Sequence, residues 1–390
     1  MKNLFLLSFI VLAVAGCSST ASRNPVPEHL VGHAEVPGYP GDRIIQRTDR
    51  VNLQPVNEML GNAVTRAQAI DTNRPLTQLA ISGGGARGAY GAGLLCGWTR
   101  AGNRPEFDIV TGISTGALMG PYAFLGSAYD EQLKTAYTTA SDKDIYTKRG
   151  KLKILFGADS VLDTAPLAKR INEEITPAMF DAIAAEYRKG RRFYVGTCDL
   201  DDQSLWIWDM GAIAASGCPD AHELFCKILL ASASIPVAFP PVMFKVQADG
   251  QSYDEMHGDG GVMTQVFGAV FLDRLMHLSH HPKGQLYIIR NECISPDWKA
   301  VKPQVLAIAG RTVGTLIKTQ GLGDLYRLFI VSQLKGMDFN LATIPESFAV
   351  EPETEFDPKY MNALFQLGYD QMRNGTAWTN SPPGYNAIMQ

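Results

Sequence analysis

The segment at residues 108–118 limits the possible folds of this chain more than any other. It begins with the apolar, β-branched pair Ile109 and Val110, which suits a buried parallel strand. Gly112-Ile-Ser-Thr-Gly116 follows, and then an apolar run that is typical of a helix. The two glycines leave room for a sharp backbone bend around the serine. We therefore predict a strand, a tight turn and a helix, with Ser114 at the turn.

Two interpretations of Ser114 follow from this position. A serine at the start of a helix lies where partial positive charge stabilises a developing anion, so it can act as a nucleophile. A serine at the same place can also serve only as a helix cap in a glycine-rich turn. The motif alone does not decide between them, because glycine and serine are common enough for chance matches.

Composition limits the function classes. The 390 residues can form one large α/β domain or two smaller ones, and the net charge is −4. No long basic run is present, so nucleic acid is not an expected partner. No Cys/His spacing resembles a zinc site, and we expect the clustered His277, His280 and His281 to be solvated surface residues.

A second glycine-rich segment lies upstream. Residues 79–81 are predicted to form a strand and residues 89–98 a helix, and Gly83-Gly-Gly-Ala-Arg-Gly88 joins them. The spacing fits a dinucleotide-binding turn, an oxyanion-binding turn or a tight βα connection equally well. The acidic residue of the next strand, Asp108, opens that strand instead of ending it, which argues against a ribose site.

Strand and helix patterns alternate through the middle of the chain, which predicts a mostly parallel sheet covered by helices. Further strands are predicted at residues 192–200, 204–208 and 285–290, and helices at residues 130–140, 164–174 and 223–231. After Lys302 the pattern is mainly helical, with amphipathic stretches at residues 305–321, 325–334 and 357–372.

The N-terminus indicates export. Lys2 precedes an apolar run at residues 4–15 that is too short to span a bilayer comfortably. Val14-Ala-Gly-Cys17 resembles the lipobox of bacterial lipoproteins, which implies a signal peptide at residues 1–16 and lipidation of Cys17. Ser18 resembles an outer-membrane sorting signal, so we expect an outer-membrane lipoprotein, facing the periplasm or the surface. The alternative is an ordinary secretory signal with an incidental Cys17.

Residues 17–55 are predicted to form a lipidated tether and a loosely structured arm, because they are rich in proline, glycine and polar residues. The remaining five cysteines are an odd number, so at least one thiol stays unpaired or pairs between chains. Cys218 and Cys226 are the expected disulfide, because they bracket a short loop and the periplasm is oxidising. Cys96 and Cys198 are predicted to be buried thiols.

The ordered motifs resemble those of the patatin-like phospholipase family. Besides the two glycine segments they are Ala231-Ser-Ala-Ser-Ile-Pro-Val-Ala-Phe-Pro-Pro241 and Asp259-Gly-Gly261, and the resemblance covers residues 76–290. It implies a three-layer α/β/α fold with a mostly parallel central sheet. We place the catalytic domain at residues 76–300, and a mainly helical C-terminal region, which the resemblance does not cover, at residues 301–390. The resemblance also implies a lipid acyl hydrolase without a cofactor or metal, acting on membrane lipid or lysolipid.

The resemblance assigns roles residue by residue. Ser114 is the expected nucleophile, Asp259 the general base, and Gly112 and Gly116 flank the nucleophile elbow. Many members have Asp-Gly-Ala where this chain has Asp-Gly-Gly, which leaves the aspartate in place. The expected oxyanion hole comprises Gly83, Gly84, Gly85, Ala86, Arg87 and Gly88.

Three alternatives remain open at this stage. A Ser-His-Asp hydrolase would use His257 or His277 as the base. A degenerate hydrolase fold could serve only as a lipoprotein scaffold, and Asp259 could be an ordinary turn residue. If Asp259 is the base, partial burial must raise its pKa above the usual value near 4 to make proton abstraction favourable.

Overall fold

The computed structural model describes residues 23–46, 75–150, 159–268, 284–296, 298 and 300–385. The strands are β1 (Arg43–Gln46), β2 (Thr77–Ile81), β3 (Ile109–Ile113), β4 (Thr147–Lys148), β5 (Leu162–Asp163), β6 (Arg192–Asp199), β7 (Ser204–Asp209), β8 (Val242–Ala248), β9 (Gln251–Asp259), β10 (Gln285–Arg290) and β11 (Asp338–Thr343). The helices are α1 (Gly88–Ala101), α2 (Thr115–Leu125), α3 (Asp130–Thr138), α4 (Asp142–Ile145), α5 (Ala165–Glu174), α6 (Pro177–Arg188), α7 (Met210–Ala215), α8 (Ala221–Ser232), α9 (Val305–Leu334) and α10 (Pro358–Arg373).

A mostly parallel sheet forms the centre of the fold. Its strand order is β1-β7-β6-β3-β2-β10-β11, with β9 also paired to β6 and β8. The five strands from β6 to β11 along this order run parallel to their neighbours, whereas β7 and β1 are antiparallel. The predicted pairing of residues 192–200 with residues 204–208 is confirmed.

Alternating side chains on the parallel strands enter two different cores. On β2, Leu79 and Ile81 pack on the side of the sheet that α1 covers, and Ala80 packs on the opposite side. That opposite side is covered by Leu325 and Leu328 of α9. Every residue of β2 is buried, as expected for a strand covered on both faces. The arrangement confirms the predicted three layers, with the mostly parallel sheet between helices.

Close helix packing fixes α1 against α10. A side chain on Gly93 or Gly97 of α1 would collide with the backbone of Phe365 or Tyr369 of α10. A side chain on Gly368 of α10 would collide with the backbone of α1. The glycines therefore permit two helix backbones to approach closely.

The C-terminal region contains a strand that the sequence did not predict. Residues 301–390 are expected to be mainly helical, and α9 and α10 agree with this, but β11 pairs in parallel with β10 and extends the central sheet. The predicted helical stretches at residues 305–321 and 325–334 form one continuous helix, α9. The boundary predicted after residue 300 therefore does not separate two folding units, because β11 and α10 complete the same core. No helix among the residues described is both long enough and apolar enough to cross a bilayer.

The predicted arm is also more ordered than expected where it is described. Residues 23–46 pack on the domain, and β1 pairs with β7 in an antiparallel register. Arg43 of β1 is buried and binds both carboxylate oxygens of Glu255, with nitrogen–oxygen distances of 2.5 and 3.0 Å. A buried ion pair and a strand pairing are incompatible with a loosely structured segment.

The expected disulfide is wrong. Cys218 and Cys226 are both free thiols. Cys226 lies inside α8 near His222, whereas the Cys218 thiol contacts the carbonyl oxygen of Gly38. The two sulfurs therefore have different surroundings despite their short sequence separation. Cys96 and Cys198 are buried thiols as predicted, and burial raises the pKa of each to about 12.

Candidate active site

Ser114 lies on a strained turn between β3 and α2. Its φ of 55° and ψ of −124° are unfavourable for a residue with a side chain. A side chain on Gly112 would collide with the Gly116 carbonyl oxygen, and one on Gly116 would collide with the carbonyl oxygen of Ile81. Only glycine fits on both sides of the serine, so the Gly-x-Ser-x-Gly motif follows from the geometry of this turn.

Hydrogen bonds hold the strained backbone in place. The Ser114 amide donates to Ser232 Oγ at 3.0 Å, and that hydroxyl donates to the Gly196 carbonyl oxygen at 2.7 Å. The Ser114 carbonyl oxygen accepts from the amides of Ala117 and Leu118, at 2.9 and 3.1 Å. The serine is therefore fixed from both sides, through α2 and through the last residue of α8.

The topology of β6 brings Asp259 to Ser114. β3 runs parallel to β6 and ends with Ile113 opposite Gly196. β9 runs antiparallel to β6 and ends with Asp259 opposite Thr197, the next residue along β6. The two strands therefore approach each other along one edge of β6 and end where they meet. Ser114 follows the end of β3, and its hydroxyl lies close enough to the Asp259 carboxylate to lower the pKa of that carboxyl.

Burial changes the acidity of Asp259. Ser114 is 7% exposed and Asp259 is 5% exposed. Burial raises the pKa of Asp259 to about 6, although the nearby Ser114 hydroxyl and the hydrogen bond from the Gly261 amide partly offset the effect. The Gly261 amide donates to Asp259 Oδ1 at 2.7 Å. The carboxylate is thus mostly ionised at neutral pH, and it is a stronger base than a solvated aspartate.

The glycine-rich loop between β2 and α1 runs beside the serine. A side chain on Gly83 would lie 3.3 Å from Ser114 Cβ. Gly84 and Gly85 have φ angles of 153° and 56°, which favour glycine. The Gly83 amide donates to the Gln265 carbonyl oxygen at 3.2 Å, so its hydrogen-bonding capacity is used internally.

Other amides near the serine remain open to an anion. Within the described ranges, the amides of Gly84 and Gly85 donate no hydrogen bond to any group outside the short 3₁₀ turn that begins at Gly85. The Thr115 amide begins α2, where the first amides of a helix have no partner inside the helix. These three donors and the N-terminus of α2 together can bind a negatively charged oxygen.

Asn291, directly after β10, anchors the glycine-rich loop. Its amide donates to Ser82 Oγ at 2.9 Å, and its side-chain nitrogen donates to the Ser82 carbonyl oxygen at 3.0 Å. Asn291 Oδ1 accepts from the Gly91 amide at 3.1 Å. A side chain on Gly84 would collide with the Asn291 carbonyl oxygen. The loop therefore has no space to move toward β10.

The Arg87 side chain is directed toward the end of β10 and not toward the serine. It donates to Glu292 Oε1 at 2.6 Å, and Arg290 donates to Glu292 Oε2 at 2.6 Å. Glu292 is largely buried, so it bridges two guanidinium groups at the end of β10. Through this bridge, Arg87 ties the glycine-rich loop to the end of β10. Ala86 is buried, and Gly88 leaves room for Thr115 and Tyr137.

His257 lies two residues before Asp259 but does not face Ser114. It is fully buried, with Nδ1 2.8 Å from Thr197 Oγ1 and Nε2 3.2 Å from Glu255 Oε2. Burial lowers the pKa of His257 and favours the neutral ring. Both ring nitrogens therefore have partners other than the serine. His277, the other candidate base, and Cys17 lie outside the described residues.

His257 also belongs to a compact group with Asp199 and Glu255, whose potential ligand atoms lie within 4.8 Å of one another. Arg43 binds both oxygens of Glu255, so this group already contains a cation. Its guanidinium lies 4.1 Å from the ring centre of Trp206. The geometry is that of an internal ion-pair network that attaches β1 to the sheet.

Several supporting residues were missed from the sequence. Asn291 and Glu292 follow the carboxyl end of a predicted parallel strand, a position where α/β sheets collect functional side chains. That rule could have identified them. Ser232 lies in the motif at residues 231–241 but was assigned no role there, and Gln265 had no comparable signal, because both act through hydrogen bonds that depend on tertiary structure. Asp324 accepts from the Gln265 amide at 2.7 Å and is equally invisible in the sequence.

Comparison with known proteins identifies a family for part of the chain. The family model described as patatin-like phospholipase matches residues 79–268, a stretch that contains the glycine-rich loop, Ser114 and Asp259. Residues 79–268 form a patatin-like phospholipase domain. Patatin-like phospholipases hydrolyse lipids, and the domain therefore supports lipid hydrolase activity in general.

Curated proteins and solved structures were the other two comparisons. A search of curated proteins gave no match. Among solved structures, the chain is similar to VipD from Legionella pneumophila, with 11% sequence identity and a TM-score of 0.37. The similarity covers 77% of this chain and 66% of the VipD chain, so the chain spans just under two thirds of that structure.

Proposed function

We propose that the patatin-like domain is a serine esterase that removes acyl chains from phospholipid or lysophospholipid. The observation that carries the proposal is the position of the strained Ser114 beside the buried Asp259, where β3 and β9 end along β6. A strained serine at a strand-to-helix turn is typical of an exposed nucleophile in α/β hydrolases. An adjacent base of raised pKa supplies the activation that a serine hydroxyl needs.

In the first half of the reaction, Ser114 Oγ attacks the acyl carbonyl carbon and its proton passes to Asp259. The negative charge that forms on the carbonyl oxygen is stabilised by the amides of Gly84, Gly85 and Thr115. Removal of one such donor typically costs about a hundredfold or more in rate. The tetrahedral intermediate then collapses, the bond to the lipid alcohol breaks, and Asp259 returns its proton to the leaving oxygen.

In the second half, water attacks the acyl-serine. Asp259 accepts a proton from the water, and the same amides stabilise the second tetrahedral intermediate. The fatty acid leaves when the bond to Ser114 Oγ breaks and the serine oxygen recovers a proton from Asp259. The cycle consumes one water and needs no cofactor.

A small, largely apolar cavity lies beside the turn. Gly85 and Thr115 line it next to the serine, and Leu118, Leu167 and Ile171 form part of its largely apolar wall. The cavity also contains the ion pair between Arg170 Nε and Glu174 Oε1, at 2.6 Å. Apolar walls favour hydrocarbon, whereas the ion pair places a polar boundary inside the cavity.

The Ser-His-Asp alternative is less compatible with the geometry. His257 would have to break its contacts with Thr197 and Glu255 and leave a buried site to reach Ser114. Breaking such buried contacts leaves polar groups unpaired, which is costly. Asp259, in contrast, already lies beside the serine side chain.

The experiment uses a fluorophosphonate probe together with mass spectrometry of lipid products. We expect the probe to label Ser114 in the folded wild-type protein. We also expect free fatty acid release from phospholipid or lysophospholipid, and neither signal in Ser114→Ala. Folded wild-type protein that is not labelled and releases no fatty acid would refute the esterase proposal and favour a lipoprotein scaffold.

Attachment to the outer membrane through lipidated Cys17 is a separate proposal, supported by the lipobox-like sequence. Two or more acyl chains give firm anchoring, whereas one gives reversible binding. Mass spectrometry of the mature N-terminal peptide is expected to show a lipidated Cys17. An unmodified Cys17 or cleavage at another position would contradict it.

A further inference from the structure

The first half of α9 presents several apolar side chains to solvent. We call residues 305–320 the outer half of α9. None of its described side chains is buried. Val305 and Leu316 are 83% and 64% exposed, and Ile308 and Val313 are each 51% exposed. At 100° per residue these four side chains lie within one side of the helix, so they form a continuous apolar strip.

The outer half of α9 is poorly stabilised by its own sequence. Gly310 and Gly314 occupy helix-interior positions, and among the residues that the structure describes no neighbouring atom lies within 4 Å of a side chain placed on either residue. Glycine inside a helix costs about 1 kcal/mol relative to alanine. Two such residues, together with exposed apolar side chains, indicate a helix whose apolar strip contacts a partner outside the described part of the chain.

The charges of this region indicate what kind of partner fits. Between Trp298 and Gly323 the sequence contains four basic residues and no acidic residue. They are Lys299, Lys302, Arg311 and Lys318. An apolar strip combined with basic residues is typical of helices that lie at the surface of a bilayer with anionic lipids. Two copies of the strip would bring eight positive charges together, which disfavours self-association through this face.

The outer half of α9 is connected directly to the turn after Asp259. Its last residue, Gln320, donates to the carbonyl oxygens of Val262 and Met263. Val262 itself is 43% exposed. On the other side of Asp259, the Asp259 amide bonds to Ser234, and the following residues Ile235 and Val237 are also exposed. Exposed apolar residues therefore flank the aspartate on both sides.

We propose that the outer half of α9 docks on the surface of an anionic bilayer and positions the Ser114 site over its lipid substrate. The proposal rests on the proposed function for the identity of the substrate, but docking itself is independent of catalysis. It gives the folded domain a membrane affinity of its own, in addition to any anchor at Cys17. The apolar strip enters the region between headgroups and acyl chains, while the basic residues contact the headgroups.

The test is vesicle co-sedimentation of full-length protein carrying Cys17→Ser and Ser114→Ala, so that neither the lipid anchor nor turnover contributes. Vesicles contain phosphatidylethanolamine with phosphatidylglycerol, or phosphatidylcholine alone. The strip variant carries Ile308→Ser and Leu316→Ser. The matched control carries Ile330→Ser and Leu334→Ser, two exposed residues in the other half of the same helix.

We expect the strip variant to bind anionic vesicles about tenfold more weakly than its parent, since two apolar side chains no longer leave water. The control should bind like the parent, and added salt or phosphatidylcholine should weaken binding. Equal binding by the strip variant and the parent would overturn the proposal. So would a concentration-dependent dimer that the strip variant abolishes.

Ester hydrolysis separates this inference from the proposed function. The same strip and control substitutions are placed in protein that retains Ser114, and a short, water-soluble ester is the substrate. Docking predicts unchanged rates on this ester and a reduced rate on vesicles for the strip variant alone. Loss of vesicle binding with no activity in any form would refute the esterase proposal while supporting the docking surface.

Discussion

Two C-terminal helices, α10 and the outer half of α9, use glycine in opposite ways. Gly368 of α10 lies against the backbone of α1, and Gly93 and Gly97 of α1 lie against the backbone of α10. Gly310 and Gly314 of α9 have no neighbour in reach of a side chain. One helix is thus bound closely into the fold, and the other is exposed along half its length.

α10 is needed to complete the core, whereas the outer half of α9 lies on the surface. α10 fills the core beside α1 with Leu364 and Phe365, so its loss would expose the helix that follows the glycine-rich loop. The outer half of α9 contributes no described side chain to any of the three cores. The free energy of unfolding should therefore respond strongly to changes in α10 and weakly to changes in the outer half of α9.

The largest expected effect is at the α1–α10 contact. Gly93→Val places a branched side chain against the Phe365 backbone, which cannot move without separating the helices. We expect the free energy of unfolding to fall by about 3 kcal/mol or more. Urea denaturation followed by circular dichroism measures it. A stability close to wild type would show that the two helices are less tightly packed than the structure has them.

An intermediate loss of stability is expected from a substitution at Asp324, where α9 enters the core. Asp324→Ala leaves the buried Gln265 amide without its acceptor, and Gln265 in turn accepts from the Gly83 amide. We expect a loss of about 1–3 kcal/mol in stability, with reduced hydrolysis of a soluble ester.

The matched control for Asp324 is Thr312→Ala in the outer half of α9. Thr312 is exposed, and its hydroxyl bonds only to the Ile308 carbonyl oxygen of the same helix. We expect wild-type stability and ester hydrolysis from this variant. Equal effects of the two substitutions would contradict the distinction between the halves of α9.

The smallest expected effect is a gain in stability. Gly310→Ala and Gly314→Ala should each increase the free energy of unfolding by about 0.5–1 kcal/mol, because alanine restricts the unfolded chain and meets nothing in the folded helix. Denaturation of the double variant tests both substitutions. Destabilisation would indicate that the outer half of α9 packs against another part of the chain.

The sequence was most informative where local geometry decides the residue type. The sharp turn at Ser114 could be predicted from Gly112 and Gly116, because such a turn excludes side chains on both sides of the serine. Burial of Asp259 and its raised pKa were also expected, and the structure supports the direction of that shift. The pairing of Asp259 with Ser114 came from family resemblance alone, since 145 residues separate them in the chain.

Long-range contacts explain what the sequence could not reveal. β11 was hidden because Asp338–Thr343 is short and lies between two helices. The ordering of residues 23–46 depends on Arg43 reaching Glu255 across 212 positions. The incorrect Cys218–Cys226 pairing was based on sequence spacing, whereas helix α8 directs Cys226 into the core. Each case is decided by partners that no local pattern identifies.

The most direct test of the account is the pH dependence of kcat/KM on a soluble ester for wild type, Asp259→Asn and His257→Asn. The base acts when deprotonated, and the deprotonated fraction rises with pH. Wild-type kcat/KM should therefore increase through pH about 6, the pKa of buried Asp259, and then level off. Asp259→Asn should lose about 10²–10⁴-fold, and folded His257→Asn should keep the wild-type profile. A folded Asp259→Asn enzyme with wild-type activity, or loss of activity only in His257→Asn, would contradict the proposed Ser114–Asp259 mechanism.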